Sequence, residues 1–131
     1  DIDRELLEMA DIATPHIAGY SADGKWTATK MSLDNLNEFF ELGIHPIQFI
    51  QLPQPNNPVI DLREIEPAHQ LAYSVWQTYN PMMETVNLKK NPDKFYWFRS
   101  HYPLRREYGA YKLKNADSSV VPVLKQLGFN V

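Results

Sequence analysis

The sequence predicts an α+β fold, a set of helices with a small amount of sheet. Three observations predict it. Apolar residues recur at helical spacing in three separate stretches, Trp26 to Phe40, Ala68 to Tyr79 and Phe95 to Tyr102. Glu107 to Lys114 alternates instead with a period of two, Tyr108, Ala110 and Lys112 against Gly109, Tyr111 and Leu113, the pattern of a strand with one side exposed. Pro46, Pro53, Pro55 and Pro58, with the pair Asn56-Asn57, punctuate the chain between these parts and set a boundary near Gly43.

In order along the chain, Asp3 to Met9 carries Leu6, Leu7 and Met9 among charges, which predicts a short amphipathic helix, and Asp11 to Thr14 reads as a brief buried strand. Pro15 biases Thr14 toward extended geometry, and Gly19 lets the backbone turn, so His16 is expected at a strand end with its ring presented. From Asp23, Trp26, Leu33, Leu36, Phe39 and Phe40 predict a helix that stops before Gly43, a suitable C-terminal cap position. Ile47 to Leu52 is a short strand candidate inside the proline-rich connector. Ala68, Leu71, Ala72, Val75, Trp76 and Tyr79 form a helical stripe behind Glu66-Pro67, where proline suits the first turn, and Asn80-Pro81 ends it. Asn91-Pro92-Asp93 opens a further helix that aligns Phe95, Phe98 and Tyr102 and stops at Pro103. Val120 to Leu127 is a final short helix closed by Gly128.

Composition narrows the function classes. The 131 residues suit one ordinary domain with a real core, since three Trp, seven Tyr and six Phe supply large buried surfaces. There is no cysteine, which removes disulfide, thiol and Cys-zinc chemistry and is compatible with a reducing cytoplasmic setting. A net charge of −3 gives no electrostatic footprint for nucleic acid. No stretch is long and apolar enough to span a bilayer, and the acidic start Asp1-Ile2-Asp3 is unlike a signal peptide, so membrane partners are not expected. That start also lacks an initiator methionine, so the chain reads as a fragment of a longer protein.

Taken alone, His16 beside Ile17 and Ala18 reads as a hydrogen-bonded structural histidine, Gly19 as a turn glycine and Tyr20 as a half-buried aromatic. His45 and His69 show no metal-ligand spacing, and Ser21 and Ser100 lack a nucleophile elbow or a base partner. Arg99, His101, Arg105 and Arg106 form the one basic cluster, suited to a phosphate or carboxylate but more simply explained by surface or interface ion pairs with residues such as Asp93 and Glu107.

The string DIATPHIAGYSADGK, Asp11 to Lys25, resembles the segment of D-2-hydroxyacid dehydrogenases that carries the catalytic histidine. FRSHYPLRREYGAY, Phe98 to Tyr111, with Leu127-Gly128-Phe129, is similar to the C-terminal dimerisation domain that marks the 4-phosphoerythronate dehydrogenases of vitamin B6 synthesis within that superfamily. The resemblance covers essentially the whole chain, but only the C-terminal third of such an enzyme. It implies that residues 1–42 are the last strand and helix of a Rossmann-type nucleotide-binding domain and that 43–131 are a dimerisation domain. It also implies an NAD cofactor, a phosphorylated 2-hydroxy acid substrate and a homodimer, with His16 as the catalytic acid/base, Gly19 beside the cofactor and Tyr20 at the substrate.

No G-x-G-x-x-G is present, and the family's active-site arginine and histidine-orienting glutamate fall before Asp1, so the chain alone is expected to be inactive and to retain self-association. The rival expectation is a free-standing interaction module whose aromatic face binds another protein. Cut from its parent, the 1–42 segment is expected to be mobile, refolded on the second domain or exchanged between chains.

Overall fold

A computed structural model describes residues 2–44 and 50–131. Among the described residues, six α-helices and two short strands follow one another as α1 (Arg4–Met9), α2 (Ala22–Phe39), β1 (Val59–Asp61), α3 (Pro67–Thr78), α4 (Pro81–Lys90), α5 (Phe95–Ser100), β2 (Lys112–Lys114) and α6 (Val121–Gln126). Single 3₁₀ turns at Pro92–Lys94 and Tyr108–Ala110 lead into α5 and β2. The architecture is α+β, helices around a minimal sheet.

That sheet is a parallel pair, with Val59 opposite Lys112, Ile60 opposite Leu113 and Asp61 opposite Lys114. Parallel strands cannot be joined by a hairpin, so α3, α4 and α5 form the crossover between them. Asn130 adds a single parallel bridge on the other side of Lys112. The core condenses on this pair: Ile60, Leu62, Tyr111, Leu113, Leu124 and Phe129 are buried together, and Leu71, Tyr73 and Val75 of α3 close over them. Leu62 and Leu124 are completely buried.

β1 was not anticipated, because Pro58 and the prolines before it dominate the local pattern. The strand begins just past the last proline, and Pro58 contributes the acceptor a proline still owns: its carbonyl receives the Lys112 amide at 2.8 Å. The expected strand at Ile47 to Leu52 falls mostly outside the described residues, as does His45. Its last residues, 50–52, have no regular structure. The expected strand at Glu107 to Lys114 shortens to Lys112–Lys114 behind a 3₁₀ turn, with Tyr111 and Leu113 inward as the alternation requires.

The expected α3 stripe is rotated. Gln70 and Ser74 are the fully buried positions, while Ala68, Ala72 and Trp76 face outward. Gln70 earns burial by using its whole amide: Nε2 donates to the carbonyls of Leu62 (3.2 Å) and Ile65 (3.0 Å), and Oε1 accepts from the Asp117 amide (2.8 Å). Asn80-Pro81 does end α3, but it also starts α4, an element the sequence reading omitted. Asn80 accepts from the Met82 amide at 2.9 Å, Pro81 takes the first helical position, Glu84 sits in the first turn, and Lys89 and Lys90 sit in the last.

α2 runs as expected, capped by Ser21, whose hydroxyl accepts from the Gly24 amide at 2.9 Å. Its end differs from expectation. Glu41, at φ 50°, takes the left-handed position, with the Leu42 amide reaching Asn37 carbonyl (3.1 Å) and the Glu41 amide reaching Glu38 carbonyl (3.3 Å), so Gly43 lies beyond the cap. α6 closes with the same bonding pattern on Gly128, φ 99°. No helix of the described residues is long and apolar enough to cross a membrane.

Candidate functional site

The loop from Ala10 to Ser21 joins α1 to α2 and is held from three sides. The Thr85 hydroxyl of α4 lies 3.1 Å from both the amide and the carbonyl of Ala13 and 2.9 Å from the Pro81 carbonyl, so one side chain stitches the loop to the first turn of α4. Pro15 is fully buried and Ile17 nearly so. The Ala22 amide donates to the Arg105 carbonyl at 2.8 Å, which fixes the far end. α1 is tied in by Lys89 donating to the Glu8 carbonyl at 2.9 Å and by the exposed pair Arg4–Asp93 at 2.8 Å.

The strand expected at Asp11 to Thr14 does not form: Ile12 is 59% exposed, and Ala13 spends its backbone groups on the Thr85 hydroxyl instead of a neighbouring strand. Nothing at this edge offers a ladder to pair with. His16 therefore sits not at a strand end but at the apex of a pinned loop. Its amide donates to Thr14 carbonyl at 2.8 Å, its φ is 57°, and it is exposed between two buried neighbours, Pro15 and Ile17. A left-handed conformation is uncommon for a side chain larger than glycine, and it persists here because the flanking anchors over-determine the backbone. The result is an imidazole raised into solvent on a fixed base, with no hydrogen bond from its ring among the described residues.

Gly19 follows in a tight turn closed by the Tyr20 amide on the Ile17 carbonyl at 3.0 Å. It has φ 70°, and a Cβ built there would meet nothing within 4 Å, so the open space beside its backbone is free for a ligand to approach. Tyr20 is half-buried. Its hydroxyl accepts from Arg99 Nε at 2.9 Å, its ring meets Tyr102 edge-on at 6.1 Å, and Lys25 lies over it at 4.6 Å.

Two residues that the sequence reading passed over hold this geometry. A Cβ on Gly24 would come within 2.9 Å of Ser21 Oγ and 3.0 Å of the Gly19 carbonyl oxygen, so only glycine lets α2 start this close to the turn. Asp23 receives the Arg106 fork, at 2.9 Å from Nε and 3.1 Å from Nη2, and also the Glu107 amide at 2.8 Å. Burial raises the Asp23 carboxyl, but the hydrogen bonds from Arg106 and from the Glu107 amide outweigh it and leave the pKa below the ordinary carboxylate value. The signal for this pair was present as an acid at the second position of a helix and an Arg-Arg doublet, but 83 residues separate them.

The basic cluster thus resolves into separate tasks. Arg106 is locked on Asp23, Arg99 serves Tyr20, and Arg105 lies over the Tyr79 ring at 4.5 Å, with Glu107 at 3.9 Å. His101 stacks on Trp97 at 4.6 Å. Asp93, one of the expected partners, pairs instead with Arg4. Among the described residues, no three His, Asp or Glu side chains gather as metal ligands.

A family described as "Domain of unknown function (DUF3410)" matches residues 51–128. Among curated proteins, the chain is similar to the erythronate-4-phosphate dehydrogenase of Bacteroides thetaiotaomicron, 45% identical over 113 residues that make up 86% of this chain and 30% of that protein. The erythronate-4-phosphate dehydrogenase of Porphyromonas gingivalis is 36% identical over 129 residues, 98% of this chain and 35% of that protein. That of Coxiella burnetii is 35% identical over 124 residues, 92% of this chain and 33% of that protein. The chain spans about a third of the length of the curated relatives it matches.

Proposed function

The chain belongs to the family described as DUF3410 and resembles the C-terminal part of erythronate-4-phosphate dehydrogenases, and from that premise we propose that the protein containing it oxidises 4-phospho-D-erythronate to 2-oxo-3-hydroxy-4-phosphobutanoate with NAD. In this reading residues 1–42 close the nucleotide-binding domain and 43–131 form the dimerisation domain of a homodimer. The observation that carries it is the pinned, exposed His16 beside the open face of Gly19, in a loop whose sequence is the one the resemblance singles out.

The residues present fit one end of a dinucleotide. Gly19 leaves room for a ligand against its backbone, while the glycine-rich turn that would hold a pyrophosphate is not among these residues. NAD, when bound, supplies the hydride acceptor for C2 of the substrate. The chain's own contribution is proton handling: as C2 loses hydride, a ring nitrogen of His16 takes the hydroxyl proton, leaving the 2-oxo acid and an imidazolium that returns its proton to water. The left-handed backbone at His16 fixes where the side chain leaves the loop. Tyr20, held by Arg99, fills the substrate side.

The dimer reading draws support from large apolar groups that stay exposed on the 43–131 part, Trp76 at 47%, Trp97 at 55% and Met83 at 64%. Exposed aromatic and methionine side chains are the usual material of a two-fold interface.

The test is NAD-dependent oxidation of 4-phospho-D-erythronate by the full-length gene product, wild type against His16→Ala at matched folding. A fall in kcat/KM of about 10²–10⁴-fold is the expected loss of a general base. An inactive wild type, or an unimpaired mutant, rejects the reading.

A further inference from the structure

Outside the His16 loop, a cavity of about 480 Å³ opens between the first turn of α4, the end of α3 and the segment before the second 3₁₀ turn, lined among others by Asn56, Tyr79, Asn80, Glu84, Tyr102 and Arg105. Its volume lies in the range of small-molecule sites. Two buried side-chain atoms lack a hydrogen-bond partner among the described residues, Glu84 Oε2 and Arg105 Nε, and both residues line this cavity. Elsewhere Gln70, Ser74 and Thr85 are buried and fully bonded, so the two orphans are a local feature and not a loosely packed protein.

The orphans are of opposite kind: a cationic donor and an anionic acceptor. They do not answer each other, since among the described residues no hydrogen bond or ion pair joins Glu84 to Arg105; Arg105 pairs with Glu107 at 3.9 Å, and its guanidinium lies over the Tyr79 ring at 4.5 Å. Between them stand two phenols that stay protonated. Burial first, then the Glu84 carboxylate, pushes both Tyr79 and Tyr102 above the ordinary tyrosine value, with Arg105 opposing. A simple anion in this cavity would meet the Glu84 carboxylate, and a simple cation would meet Arg105. A molecule with two different ends meets neither objection.

We infer that this cavity is a binding site for a small bipolar molecule, with an oxyanion end, carboxylate or phosphate, on Arg105 and an O–H or N–H donor end on Glu84. The Tyr79 and Tyr102 hydroxyls complete the polar lining and Asn56 and Asn80 form its rim. Hydroxylated phosphates and zwitterionic amino acids share this chemistry. The site is argued from the orphaned pair alone and stands or falls separately from the dehydrogenase reading. It is nonetheless mechanically close to the His16 loop, because the Arg105 carbonyl anchors Ala22 and the Tyr102 ring touches Tyr20.

The experiment is an amide chemical-shift titration of the protein with glycerol 3-phosphate, β-alanine and inorganic phosphate in parallel. Saturable shifts are expected at Asn56, Tyr79, Asn80 and Tyr102 with one or both bipolar probes, and inorganic phosphate should bind about tenfold more weakly or not at all, having no donor end matched to Glu84. Arg105→Gln should abolish binding of both bipolar probes. Glu84→Gln, which keeps an acceptor oxygen but removes the charge, should weaken β-alanine, whose ammonium would meet the carboxylate, more than glycerol 3-phosphate, whose hydroxyls need only an acceptor; unchanged binding of both would overturn the proposal. Arg105→Lys, which keeps the charge but loses the fork, should bind detectably and serves as the folded control. Equal binding of inorganic phosphate, shifts scattered over surface lysines, or no saturable response from wild type would overturn the proposal.

Discussion

Two regions of this molecule solve the burial problem in opposite ways. Around β1, β2 and α6 the chain closes on itself: Leu62 and Leu124 are completely buried, Gln70 is fully bonded, and the inward strand residues Ile60 and Leu113 are buried. Along the His16 loop and α2, the chain anchors its backbone and leaves most of its side chains outside, Pro15, Ile17 and Ser21 excepted. Only Ala22 of the 18 residues of α2 is buried, and Phe39 is 80% exposed. Stability is invested where function needs nothing to move, and exposure is kept where residues have something left to meet.

The contrast can be broken first at its strongest point. Leu62→Ala should destabilise the protein by about 2–5 kcal/mol, the cost of a cavity at a core site with no exposed side from which to collapse. Urea unfolding measures it, and a loss under 1 kcal/mol would mean that the β1–β2 core is not where stability resides.

The clamp between the two regions should respond less, and with a definite sign in pH. The folded-state pKa of Asp23 lies below its unfolded value of 3.8, so the stabilisation it brings is complete above that value and is lost as pH falls through the lowered pKa. Asp23→Asn should lower stability near neutrality by about 1.5–3 kcal/mol, the scale of a hydrogen bond to a charged group, and should flatten the loss of stability below pH 3.8 relative to wild type. Parallel acid limbs for the two proteins would show that the Arg106 fork is not stabilising.

The smallest effect has the opposite direction. His16→Gly should raise stability by about 0.5–1 kcal/mol by removing a side chain from a left-handed backbone, while abolishing the proposed activity. Thermal unfolding that shows a decrease would place unrecognised packing on the His16 ring.

Much of the fold was legible from periodicity and punctuation. The spans of α2 and α3 and the Gly128 end of α6 follow from local signals, because helix spacing, caps and glycine conformations are decided within a few residues. What failed was the part that depends on neighbours. Asp11–Thr14 has the composition of a strand and becomes a pinned loop, because strand formation needs a partner edge and the nearest partner is a threonine hydroxyl on α4. α4 was missed because Asn80-Pro81 was read only as a stop, when the same dipeptide is also a cap and a first turn.

The candidate site divides along the same line. The string around His16, the turn glycine and the adjacent tyrosine stood out in the chain because each is a short-range feature. That Arg106 is consumed by Asp23, that Arg99 serves Tyr20 and that Arg105 is left facing Glu84 across a cavity could not be read from four basic residues within eight positions of one another.

The sequence by itself determined most of the helical segments, α2, α3 and α6 among them, since these depend on backbone preference over a turn or two. Only the tertiary structure decided which strand pairs, which face of α3 is buried and which arginine keeps a buried nitrogen without a hydrogen bond among the described residues. Those outcomes rest largely on contacts between residues distant in the chain, Val59 with Lys112, Gln70 with Asp117 and Asp23 with Arg106, whose geometry no local pattern encodes.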